Sequence, residues 1–89
     1  MKFNSETVKF RGETFEIKEL SVGDLMPVIK VMDEDPVKGQ QQLMAKAIYK
    51  DGVAIGDDYL NYPGAMMIAL ADAVMRVNSL GADEVEKKS

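Results

Sequence analysis

Apolar and polar residues alternate over residues 7–18, where Val8, Phe10, Phe15 and Ile17 are interleaved with Thr7, Lys9, Arg11, Thr14, Glu16 and Lys18. A period of two is the mark of half-buried strands, and two such runs flank a glycine here. Taking Gly12 and Glu13 as a two-residue loop puts glycine first, as a type II′ turn requires. That loop sets Phe10 opposite Phe15, Val8 opposite Ile17 and Lys9 opposite Glu16. Each such pair contributes roughly 0.2–1 kcal/mol relative to an alanine pair. An isolated hairpin is marginal in water, so its apolar face is expected to pack on the helices that follow.

Beyond residue 19 the apolar period lengthens to that of a helix. Leu25, Val28, Ile29 and Met32 form an i, i+3, i+4, i+7 stripe, predicting a helix over about 24–33. Ser21 and Asp24 stand at capping-box spacing before it, and Pro27 is tolerated if it lies in the first turn. Asp35–Pro36 is an N-cap followed by proline at the first helical position, opening a helix over 36–50 through Leu43, Met44, Ala47 and Ile48. Gly52 is its expected stop. Residues 53–62 read as a connector with room for one helical turn around 58–61. Pro63 starts a last helix over 63–79, ending at Gly81. Residues 82–89 form a charged, frayed tail. The expected fold is α+β, mostly helical: one domain over residues 1–81, with an N-terminal hairpin and about three helices.

The last helix departs from the usual surface pattern. Its only charges are Asp72 and Arg76, which sit at i, i+4 and can pair along one polar edge. Met66, Met67, Ile68, Leu70, Val74, Met75 and Val77 occupy most of the remaining circumference. A surface helix of a small domain is apolar over a single stripe. This one therefore predicts more apolar helix surface than the chain can cover by itself. Methionine adapts to varied apolar partners, so Met44, Met66, Met67, Leu70, Val74 and Met75 are the candidate residues for partner binding or self-association. Alanines at 65, 69, 71 and 73 allow another helix to approach closely.

Composition narrows the chemistry. The 89 residues contain no Cys and no His, so thiolate or imidazole catalysis and Cys/His metal sites are excluded. Fifteen acids against eleven bases give a net charge of −4, which argues against a nucleic-acid binder. The apolar stretch 65–71 is far shorter than the ~20 residues of a membrane span, and residues 1–6 lack the apolar run of a secretory signal. A soluble cytoplasmic protein that binds neither nucleic acid nor membrane is expected.

Three motif look-alikes fail on their own spacing. A calcium loop starting at Asp33 needs Gly sixth and Glu twelfth, where the chain has Lys38 and Met44. Leu80–Gly81–Ala82–Asp83 is similar to the prosthetic-group segment of acyl carrier proteins, but Glu84 stands where the serine belongs. Asp57 and Asp58 are adjacent, point apart and have no partner base; they suit a helix start. No catalytic residue, metal ligand or cofactor site is expected.

The order of elements supplies a positive reading. A hairpin leading into Glu19-Leu20-Ser21-Val22-Gly23-Asp24-Leu25, a connector with Asp58-Tyr59-Leu60, and a closing helix ending Ala73-Val74-Met75-Arg76-Val77-Asn78-Ser79-Leu80-Gly81 together resemble the small tail assembly chaperones of long-tailed phages and prophages. The resemblance spans nearly the whole chain. It implies a non-enzymatic protein of the host cytoplasm, absent from the mature virion and encoded between the tail tube and tape measure genes. Such a protein coats the tape measure protein and helps recruit tube subunits. The resemblance also implies homo-oligomers and, for many members, a longer frameshifted form whose junction would suit the tail after Gly81. The alternative is a structural, ring-forming tail or head–tail connector component that buries the same helix permanently against its own copies.

Overall fold

The computed structural model describes residues 2–79. It shows an α+β domain in which helices cover one face of a four-stranded antiparallel sheet. Strands β1 (Ser5–Phe10) and β2 (Glu13–Lys18) form the expected hairpin. Helices α1 (Val22–Glu34) and α2 (Pro36–Ala47) follow, then the short strands β3 (Ile48–Lys50) and β4 (Val53–Ala54). A 3₁₀ segment, Gly56–Asn61, leads into α3 (Gly64–Val77). The sheet order is β1-β2-β3-β4. No helix among the described residues is long and apolar enough to cross a membrane. The proposed tail at 82–89 and the stop at Gly81 lie outside the described residues.

The hairpin register is corrected. Val8 faces Phe15, Lys9 faces Thr14 and Phe10 faces Glu13. The turn is Arg11–Gly12, both with positive φ, the geometry of a type I′ turn. Gly12 therefore takes the second turn position rather than the first, and the pairing slips by two residues. A two-residue slip preserves sidedness, so Phe15 and Ile17 still point into the core and Val8 and Phe10 still pack against it.

Helix boundaries also differ from expectation, and α3, expected over 63–79, spans Gly64–Val77. Ser21 is the N-cap of α1, and its hydroxyl accepts from the Asp24 amide at 3.2 Å. The helix thus starts at Val22, and Pro27 lies in its second turn. Proline has no N–H to offer the Gly23 carbonyl, but both residues are exposed, so water can satisfy that oxygen. Helix α2 opens as read, with the Asp35 carboxylate accepting from the Lys38 amide at 3.2 Å, but it stops at Ala47 rather than at residue 50. Ile48–Lys50 instead pairs with β2, Ile48 beside Ile17 and Tyr49 beside Glu16. Asp51 and Gly52, both with positive φ, turn the chain back into β4.

The core lies between the sheet and the helices. Phe15, Ile17 and Ile48 project from the sheet onto Val28, Leu43, Met44, Leu70 and Val74, all essentially inaccessible to solvent. The opposite sheet face is wet. Thr7, Lys9, Thr14 and Glu16 are exposed there, and the Lys18 ammonium sits 4.2 Å from the Tyr49 ring centre.

Candidate functional site

Helix α3 carries most of the candidate residues, and its position in the fold divides them. Met66, Leu70, Ala73, Val74 and Val77 are buried. Their spacing of i, i+4, i+7, i+8, i+11 is a single helical face, which packs against β1, β2 and α2. Met66, Leu70 and Val74 are therefore core residues, and so is Met44 on α2. These four cannot form an open contact surface in the folded chain, which corrects their assignment as interface residues. The chain has more covering material than the sequence pattern indicated, because β3 and β4 join the hairpin in one continuous sheet beneath the helices.

Met67 and Met75 lie differently. Met67 is 37% exposed, and Met75 is half-buried against the rim of the core. Ile68, 73% exposed, stands beside Met67 on the helix. At 100° per residue, Met67, Ala71, Met75 and Ile68 follow one another around α3 from the Val74 edge of the buried stripe outward, with Ala71 and Met75 packed partly against the core. All four are apolar. This strip is what remains of the predicted apolar excess, and it is narrower than the sequence suggested.

A polar edge borders the strip. Arg76 Nη1 donates to the Asp72 carboxylate at 2.8 Å, the i, i+4 pair read from the sequence. The guanidinium also reaches across to β1, with Nε donating to Glu6 at 3.1 Å and Nη2 pairing with its second oxygen. Sequence spacing gave no sign of Glu6, because the contact joins residues 70 positions apart. The hydrogen bonds from Arg76 hold the Glu6 carboxyl below the usual glutamate range, against a smaller opposing effect of burial. The two carboxylates in turn raise the affinity of Arg76 for its proton.

At its C-terminal end α3 is fastened to the start of α1. The Leu20 amide donates to Asn78 Oδ1 at 2.9 Å, while Asn78 Nδ2 donates to the Val74 carbonyl at 3.0 Å. Asn78 is buried, so both ends of its amide are satisfied inside the protein. The segment before α1 and the end of α3 thus meet at this side chain.

Two shallow recesses lie elsewhere. Phe3, Leu20 and Val22 give the first an apolar floor beside Lys2 and Glu19. The second, between α2 and the 3₁₀ segment, is lined by Lys38, Gln41, Gln42, Asp57 and Tyr59. Burial of Tyr59, with Asp57 adding to it, raises its phenol above the ordinary value. Asp57 and Asp58 occupy the first turn of the 3₁₀ segment, as a helix start prefers. The described residues contain no group of three acids placed to hold a metal ion. No family model matches the chain, nor does any curated protein or solved structure.

Proposed function

We propose that the protein is a phage or prophage tail assembly chaperone, acting without catalysis in the host cytoplasm. It coats the tape measure protein and helps recruit tail tube subunits. The observation that carries this reading is the strip Met67, Ile68, Ala71 and Met75, an apolar helix side that the folded chain leaves partly in water. A long helical client with apolar faces can lie along it. Burial stabilises such contact by roughly 25 cal/mol per Å² of apolar area, less the cost of association. Methionine at two of the four positions lets the strip fit successive, non-identical client surfaces. The excess of acids keeps chaperone and client dispersed until release.

Co-expression with a tape measure protein tests the proposal. The client should become soluble and co-purify with the chain; a client that stays insoluble and unbound contradicts it.

A further inference from the structure

Strand β1 is an edge of the sheet, and among the described residues no strand pairs with its outer side. The register fixes which backbone groups that side presents. Phe10 and Glu13 close a two-residue turn, so they form a hydrogen-bonded pair, and such pairs recur at every second residue. The Glu19 amide donating to the Asn4 carbonyl at 2.9 Å continues the same alternation. It follows that Ser5, Thr7 and Lys9 direct their N–H and C=O groups outward, along an edge with neither proline nor bulge. Edges are commonly guarded by an inward-pointing charge. Glu6 holds that position here, but Arg76 already neutralises it.

We propose that β1 pairs antiparallel with β1 of a second copy of this chain, about a two-fold axis at Thr7. The register is self-complementary. Thr7 meets Thr7, Ser5 meets Lys9 and Lys9 meets Ser5, all of them residues with free backbone groups, giving about six hydrogen bonds across the joint. Shifting the axis to Val8 would leave Ser5 facing the turn residue Arg11 and lose one such pair. On the inward face Glu6 lies opposite Val8, and the two Glu6 side chains are diagonal neighbours about 7–8 Å apart, each held by its own Arg76. No like charges stand directly opposite. The same register lays Arg11 of the second copy beside Phe3, which is 55% exposed in the single chain. The result is one eight-stranded sheet. This joint uses none of the α3 strip, so it stands or falls independently of the client proposed above.

Sedimentation of the full chain, wild type and Thr7→Pro, tests the joint. Proline removes an amide that only the second copy would use, so the internal β1–β2 ladder keeps its bonds. The expected result is a wild-type dimer that dissociates on dilution and a variant with at least tenfold weaker dimerisation and an unchanged circular dichroism spectrum. A wild type that is monomeric at all concentrations, or a folded variant that dimerises equally well, overturns the proposal. Should Thr7→Pro fail to fold, single cysteines decide in this Cys-free chain. Thr7→Cys places two thiols on residues about 5.5 Å apart, within disulfide reach, and should cross-link under mild oxidation. Lys9→Cys places them about 13 Å apart and should not. Equal cross-linking of the two variants, or none in either, also overturns the proposal.

Discussion

A Cβ added at Gly39 would lie 2.3 Å from the Met32 Cγ, 2.6 Å from its Cα and 2.7 Å from its amide nitrogen. The backbones of α1 and α2 touch at this point, and only glycine permits it. Gly39→Ala must push the two helices apart, and overpacking of this kind typically costs about 1–3 kcal/mol. Urea unfolding should report a loss in that range. Nothing in the local sequence marks this glycine, since it lies inside a helical run and its reason is a contact with another element. Arg11 is the opposite case. It occupies a left-handed conformation at φ 49°, which costs a non-glycine residue about 1 kcal/mol and asparagine less. Arg11→Asn would also remove the guanidinium from 4.9 Å above the Phe10 ring, an exposed contact worth about 0.5 kcal/mol. The two effects nearly offset, so thermal unfolding should show a change in stability of less than about 0.5 kcal/mol in either direction.

At the scale of elements, hydrophobic period identified the hairpin and the three helices, because each presents one apolar face to a shared core. It failed where a signal had two readings. Gly12 fits either position of a two-residue turn, and the sequence reading chose the wrong one. Gly52 serves equally as a helix stop or as the second residue of an Asp–Gly hairpin turn. Ile48–Lys50 is too short to display alternation, so the helical run overran into β3. The buried stripe of α3, by contrast, was present in the spacing of Met66, Leu70, Ala73, Val74 and Val77; what could not be read was that the chain itself supplies its cover. The tie between α3 and β1 through Arg76 and Glu6 has a pH signature. Because the folded-state pKa of Glu6 is depressed, its stabilising effect is present above the usual glutamate range and is lost as pH falls through the lower, folded value. Arg76→Ala should therefore give a shallower fall of Tm on acidification below about pH 4.5 than wild type. Equal slopes would show that the pair does not bind the helix to the strand in solution.

For the molecule as a whole, the balance between buried and exposed apolar surface governs the functional account. The sheet and helices enclose a small core; among the large apolar side chains left outside it, Met67 and Ile68 lie on α3, and others such as Val22, Met26 and Leu60 lie elsewhere on the surface. Partner binding then need not unfold or rearrange the domain. Leu70→Asp should unfold the protein, because Leu70 is fully buried, whereas Met67→Asp and Ile68→Asp should leave the fold intact. The most direct measurement is titration calorimetry of a soluble tape measure segment into wild type and into the Met67→Asp/Ile68→Asp double variant, with folding of both confirmed by circular dichroism. Full burial of one such side chain stabilises by about 1.5–3 kcal/mol, so the account predicts at least tenfold weaker binding by the variant. Equal affinity of the two proteins would contradict it.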